Sequence, residues 1–429
     1  MPPGPRAPLM GRRGIIATAL SFGSVGTGCT VAAGSADSRP PNHRSGGLVN
    51  FYRDLRDLTA GRRQRPVVAL QLGDSHTAND AFASRMREGL QDRFGAAGRG
   101  LLPPGIPFTT YAPTLVKVTA SPAWSPARSM ARSDAGPFGL SGLRQSASAA
   151  GIAMALETEL PGGLAVAEAE VLRRPGGGSL DVEVDGQRAG RIVTAAPLTE
   201  AQFVRLPTRS DSRRVTLRTI GDGPVDILSW SAARTGPGVL FSNLGTIGAT
   251  IELTNRWTPD VVRMELEHIR PSLLLVAFGT NEGFRPDPDP GYAETYAAAV
   301  RRLQAAAPWA SILVIGPPDG DWPARREGGA GQPCDSGEPG AAQWRTPPHL
   351  DDIRQAQRRV ARANGWAFWD WAAAMGGRCA MQAWAQSNPP LALPDHVHLR
   401  TAGYRRTADV LLAQLIEGYD QAGQTQGHA

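Results

Sequence analysis

Lysine is almost missing: Lys117 is the only one in 429 residues, so the formal net charge of +6 is carried by arginine. The Arg, Ala and Gly bias reads as base composition of the gene. No basic helix, zinc-finger spacing or aromatic-studded RNA motif accompanies the positive charge, which argues against a nucleic-acid partner. Long apolar runs are lacking too, so no integral membrane span is expected. Disorder is excluded by the opposite kind of count, since 41% of the residues are hydrophobic and 20% charged, enough for one large core or two domains. Cysteine is limited to Cys29, Cys334 and Cys379.

The N-terminus has the make-up of an export signal. Arg6, Arg12 and Arg13 precede GIIATALSFGSV, which is too short to anchor in a bilayer. Small residues lead into Cys29 in the setting VGTGC, where lipoprotein processing is one alternative and simple secretion the other; leucine is missing three residues before the cysteine. With Cys29 removed or lipidated, Cys334 and Cys379 remain, either as a disulfide in an exported protein or as two unlinked buried thiols.

Downstream, the amphipathic LVNFYRDLRDL is followed by the apolar run PVVALQLGD, suited to a fully buried parallel strand, and then by AFASRMREGLQDRFG with helical spacing. From about residue 101 to 235 the texture changes. Short alternating runs such as AVAEAEVLRR, SLDVEVDGQ, RVTLRTI and VDILSWSA are broken by PGGGS, VDGQ and IGDGP. Period-two alternation with a break every ten or so residues argues for an antiparallel β-sandwich.

After about residue 236 helices and strands alternate again. WTPDVVRMELEHIR is a helix with Thr258 as cap and Pro259 in its first turn. SLLLVAFGTN and ASILVIGPP are buried strands, YAETYAAAVRRLQAA is a helix, and PHLDDIRQAQRRVARANG is a helix closed by Gly365. WAFWDW is a strand and TAGYRRTADVLLAQLIEGY a final helix. The fold class is therefore α/β, a parallel sheet flanked by helices and interrupted by an inserted antiparallel sandwich. The expected division is leader and linker over 1–44, the two parts of the α/β domain over 45–110 and 236–422, and the insertion over 111–235.

Three segments fall where strands of such a sheet end: GDSH (Gly73 to His76), FGTNEG (Phe278 to Gly283) and PDHVHL (Pro394 to Leu399). Open parallel sheets place their active crevice at those ends. GDSH also fits the GDxH string of metallophosphoesterases, and Asp395, His396 and His398 could ligate a metal. GTNE, however, lacks the histidine of the GNHE string, no GDxxD-type aspartate lies between, and the further ligands that a divalent site needs are missing. A serine nucleophile uses every segment. The Ser75 hydroxyl needs a base, which His398 supplies, and that imidazole needs a carboxylate to set its tautomer, which Asp395 supplies from the same loop. Charge developing on a carbonyl oxygen needs donors, for which Asn281 offers an amide and a turn glycine a backbone N–H. In NLGTIGAT, Gly248 is the choice over Gly245.

GDSH, the glycine turn, GTN and DxxH, in that order, resemble the four blocks of the SGNH (GDSL-like) hydrolases. The resemblance implies Ser75 as nucleophile, His398 as base and Asp395 as its orienter. It implies an oxyanion hole made by the Ser75 N–H, the Gly248 N–H and the Asn281 side chain, and no metal or organic cofactor. Where many relatives read GxND this chain has Glu282, whose role is left open. A narrower likeness, carried by the β-rich insertion, GPGVLFSNLGTIGA, FGTNE, FWDWAAAMGG and DHVHL, is to the bacterial peptidoglycan O-acetylesterase group. In that group the insertion resembles family-35 carbohydrate-binding modules. It implies an exported, periplasmic or envelope esterase whose partner is acetylated peptidoglycan or another polysaccharide. The alternatives are an O-acetyltransferase or esterase of another glycan, and a carbohydrate-binding wall protein without catalysis.

The neighbouring residues have plainer readings. His76 and His396 are expected to pack or to shape loops, and Asp74 to hold its turn through backbone hydrogen bonds. Trp366, Trp369, Trp371 and Trp384 are expected in the core rather than as a sugar platform, and Trp124 and Trp230 at the edges of the insertion are open to either reading.

Overall fold

Five strands, each buried along most or all of its length, form a parallel sheet: Val67–Gly73, Val239–Gly245, Leu273–Ala277, Ser311–Gly316 and Ala367–Asp370. They belong to a computed structural model that describes residues 47–158, 162–287, 289–324, 331–334 and 344–424. The expected leader over 1–44 and Cys29 lie outside the described residues. Numbered along the chain, the strands run 2-1-3-4-5 across the sheet. The first strand therefore lies at the point where the order reverses, which is where open α/β sheets carry a crevice.

Period two explains why these runs look uniformly apolar. Val67, Ala69, Leu273, Leu275, Leu313 and Ile315 enter one core, packed by helices Val49–Thr59, Asp80–Phe94 and Thr401–Gln424. Leu70, Leu72, Leu274, Val276, Ile312 and Val314 enter the other, packed by helices Pro259–Ile269, Tyr292–Ala306 and Leu350–Ala363. A strand buried on both faces has no polar side to alternate with. The tryptophans Trp369, Trp371 and Trp384 belong to the first core and Trp366 to the second.

Between the first two parallel strands lie two antiparallel sheets. One runs Glu200–Arg205, Val166–Arg173, Val225–Ala233, Leu143–Ala147, Ser125–Arg128, with Gly98–Leu102 also paired to Val225–Ala233. The other runs Val116–Ala120, Ala153–Thr158, Arg214–Thr219, Ser179–Val184, Gln187–Val193. A third apolar core with side chains from both, including Trp124 and Trp230, joins them as a sandwich.

Two local expectations resolve differently from one another. Thr258 does precede the helix Pro259–Ile269, but its side chain makes no cap bond there; its hydroxyl accepts the N–H of Phe138 at 3.2 Å instead, tying the helix to the β-rich region. Cys334 and Cys379 are joined as a disulfide. Among the described residues no helix is long and apolar enough to cross a membrane.

Candidate active site

Strand register brings the candidate segments together. Gly73 pairs with Gly245 on one side and with Ala277 on the other. The chain leaving each of these three strand ends therefore emerges side by side, carrying Ser75, the Thr246–Gly248 turn, and Thr280 with Asn281. Ser75 opens a single helical turn, Ser75–Ala78, capped by Asp74, whose carboxylate accepts the His76 N–H at 3.0 Å. Gly245 backs directly onto this turn, since a Cβ there would lie 2.0 Å from the Ala78 nitrogen. Gly248 has φ +78°, a left-handed conformation that glycine adopts without strain.

The fourth segment closes the site from near the C-terminus. His398 Nε2 lies 2.9 Å from Ser75 Oγ, and its Nδ1 lies 2.8 Å from Asp395 Oδ2. The other oxygen of Asp395 accepts the N–H groups of Val397 and His398, each at 3.0 Å. Nδ1 can only donate to a carboxylate, so Nε2 is left as the acceptor facing the serine. Burial opposes ionisation of Asp395, but the bonds from His398 and the two backbone N–H groups outweigh it and hold the carboxyl well below its usual range. The same bond to Asp395, against a smaller opposing effect of burial, raises the pKa of His398.

The Thr280–Gly283 turn ties the other pieces to one another. The Asn281 amide donates one hydrogen to the Ala249 carbonyl at 2.8 Å, immediately after Gly248. The second amide hydrogen remains for another acceptor. Glu282 is buried, and its Oε1 accepts the N–H of Ile251 at 2.8 Å, at the start of the 3₁₀ helix Ile251–Arg256. The carboxylate whose role the sequence left open is thus a tether between the asparagine turn and the glycine turn. Burial pushes its pKa up to about 7. Burial likewise pushes Asp74 up to about 6, with bonds from His76 and Thr280 opposing.

His76 and His396 are built into the structure. His76 is buried, bonded through Nδ1 to the Tyr404 hydroxyl at 2.9 Å, and packed against Trp371; burial lowers its pKa to about 3. His396 stacks on Trp344 with ring centroids 3.7 Å apart and pairs through Nδ1 with Asp321 at 2.9 Å. That pair supports the loop carrying Asp395 and His398. The sequence reading missed Asp321, which is 75 residues from its partner and carries no local signal. Among the described residues no group of three or more His, Cys, Asp or Glu is gathered as for a metal.

This arrangement of strand-end segments is that of an SGNH-type ester hydrolase. Residues 219–406 match the model of the GDSL-like lipase/acylhydrolase family, and the protein is a carboxylic ester hydrolase with an inserted β-rich module. A solved peptidoglycan O-acetylesterase is similar over 91% of this chain and 98% of its own, at 25% identity and a TM-score of 0.71. A family two carbohydrate esterase from Clostridium thermocellum, solved with cellohexaose, aligns over 71% of this chain and all of its own, at 12% identity and a TM-score of 0.30. No curated protein matches the sequence.

Proposed function

We propose that the protein is an exported serine esterase that removes O-acetyl groups from cell-wall glycan, namely from the C6 hydroxyl of N-acetylmuramic acid in peptidoglycan. The observation that carries this reading is the 2.9 Å approach of Ser75 Oγ to His398 Nε2, across 323 residues of sequence. The similarity to a peptidoglycan O-acetylesterase along nearly the whole chain supports the substrate. The Cys334–Cys379 disulfide suits an oxidising compartment outside the cytoplasm.

His398 takes the proton from Ser75 as the oxygen attacks the acetyl carbonyl, and Asp395 holds the imidazole in the acceptor tautomer and stabilises its charge. The oxyanion is received by the N–H groups of Ser75 and Gly248 and by the free amide hydrogen of Asn281. His398 then protonates the departing sugar oxygen, and water, activated by the same histidine, hydrolyses the acetyl-enzyme. The test is acetate release from O-acetylated peptidoglycan against de-O-acetylated material. The wild-type protein is expected to release acetate from the first alone, and Ser75→Ala to release none while retaining its fold. Unimpaired release by Ser75→Ala would end the proposal.

A further inference from the structure

The cavity holding Ser75 and His398 has a volume of about 580 Å³. Pockets of that size take ligands far larger than an acetyl group. The excess runs along one face of the helix Asp80–Phe94, where Ala81, Ser84 and Glu88 line it. At 1.5 Å per residue, Asp80 to Glu88 spans about 12 Å away from the serine. Small side chains at 81 and 84 keep the floor open. The far end is closed by Glu88 and Arg405, paired through both oxygens at 3.0 and 2.7 Å.

The opposite wall is the segment Phe108 to Thr114, which leads into the sandwich. It is stapled to the floor helix, because Asp80 Oδ2 accepts both the N–H and the hydroxyl of Thr114, each at 2.7 Å. Arg87 adds a bond to the same hydroxyl at 2.8 Å, and Arg87 and Arg99 both pair with Asp80. A wall held this way is preorganised, so a ligand does not spend binding energy ordering it. Tyr111 lines the wall with its hydroxyl sequestered from solvent, and its ring meets Phe108 edge-on at 5.5 Å. With its polar tip withdrawn, the ring is what the residue offers to the cleft.

We propose that this cleft is a glycan subsite that holds the sugar next to the acetylated one, with Tyr111 as the wall for the apolar C–H face of its pyranose ring. The proposal rests on the reading of the protein as a glycan O-acetylesterase. Both acidic side chains of the cleft already face a guanidinium, and Asn79, Thr110 and Thr401 are exposed along it. Neutral amide and hydroxyl groups with one aromatic wall suit an uncharged, hydroxylated ring.

The test compares wild type with Tyr111→Ala on O-acetylated peptidoglycan and on an aryl acetate, with a non-acetylated glycan oligomer as competitive inhibitor of the aryl acetate. Loss of the ring should lower the glycan to aryl acetate ratio of kcat/KM by about tenfold and raise the inhibition constant by a similar factor, as expected for one ring contact. Thr114→Val, which removes the hydroxyl bonds of the wall while keeping its shape and its backbone bond to Asp80, should move both quantities in the same direction by less. An unchanged ratio and inhibition constant in Tyr111→Ala would overturn the subsite while leaving the esterase reading intact. The same holds if the ratio falls equally for aryl esters of long acyl chains, which would assign the cleft to the acyl group. A wild-type protein that cleaves aryl acetate but no acetylated glycan would overturn the reading on which the subsite rests.

Discussion

Removing the Glu282 carboxyl tests whether the tether on the glycine turn matters to catalysis. In Glu282→Ala the Ile251 N–H loses the acceptor that lies 2.8 Å away. An unpaired buried N–H costs about 1–3 kcal/mol. Ile251 begins the 3₁₀ helix three residues beyond Gly248, so the loosened segment is the one that carries the proposed oxyanion donor. If that energy is lost from the transition state alone, kcat falls by roughly 5- to 150-fold. The ceiling is the roughly 10²–10³-fold cost of deleting a donor outright, as in Asn281→Ala. KM for an aryl acetate should stay unchanged, because the ground-state carbonyl is not yet an oxyanion. Glu282→Gln retains an acceptor oxygen and should recover most of the turnover.

The same residue makes a separate claim on stability. Burial raises its folded-state pKa from 4.5 to about 7, so the native protein binds this proton more tightly than the unfolded chain. Its contribution to stability is fully present below pH 4.5 and is lost as pH rises through about 7. At about 1.4 kcal/mol per unit, the swing is roughly 3 kcal/mol. Chemical denaturation at pH 4 and pH 8 should therefore show Glu282→Gln gaining on wild type by that order as pH rises. Wild-type kcat in Glu282→Ala, or an effect on KM alone, would refute the tether. A Gln variant as impaired as the Ala variant would refute the assignment of its role to an accepting oxygen.

The pH profile reads the histidine. His398 must be neutral to take the serine proton, and Asp395 raises its pKa above 6.5, so kcat/KM should climb with pH along an acid limb centred above that value. In Asp395→Asn the limb should move to lower pH and the plateau fall by up to roughly 10⁴; a limb that stays in place would remove Asp395 from the role. The Cys334–Cys379 disulfide spans 45 residues, and its replacement by serines should lower stability by roughly 4 kcal/mol by the loop-entropy argument. Reductant should lower the Tm of wild type and leave the double-serine variant unmoved, and an insensitive wild type would count against the link.

How far the fold could be read from the sequence depended on where each strand sits. VVALQLG and SILVIG announce themselves because both faces are covered and, apart from Gln71 and Ser311, every position is apolar or glycine. The strand Val239–Gly245 does not, because Ser242 and Asn243 interrupt its apolar run, and both are buried in the native structure for reasons that no window of sequence contains. The Ser242 hydroxyl accepts the Leu101 N–H at 2.8 Å. Asn243 donates to the Thr77 carbonyl at 2.9 Å and accepts from Arg99 at 2.8 Å. In the sandwich, Ser125–Arg128 and Gln187–Val193 each end a sheet. Their polar, exposed side chains lack the alternation that marks the interior strands.

The candidate site shows the same division. Ser75, Asn281, Asp395 and His398 could be picked out in the sequence as candidates because a nucleophile, a base and an oxyanion donor come from few residue types, and their order along the chain restricts them further. The supports were not, because a carboxylate that tethers a turn has no distinguishing signature. Glu282 reaches over 31 residues to Ile251 and Asp80 over 34 to Thr114. Such contacts exist only after the sheet has assembled.

That dependence on the sheet explains how more than a hundred residues can sit between the nucleophile and the glycine turn without disturbing either. The chemistry depends on the pairing of Val67–Gly73 with its two neighbours, in which Gly73 lies between Gly245 and Ala277. An insertion that returns to the sheet on its edge strand, Val239–Gly245, leaves the pairing intact, because closing even a long loop costs little more than closing a short one. The insertion is nevertheless not neutral to the site. Its entry segment, Phe108 to Thr114, is stapled to the helix that follows the nucleophile and forms one wall of the cleft. The parallel sheet thus positions the candidate catalytic residues, and in the proposed subsite the chain leading into the sandwich bears on which molecule reaches them.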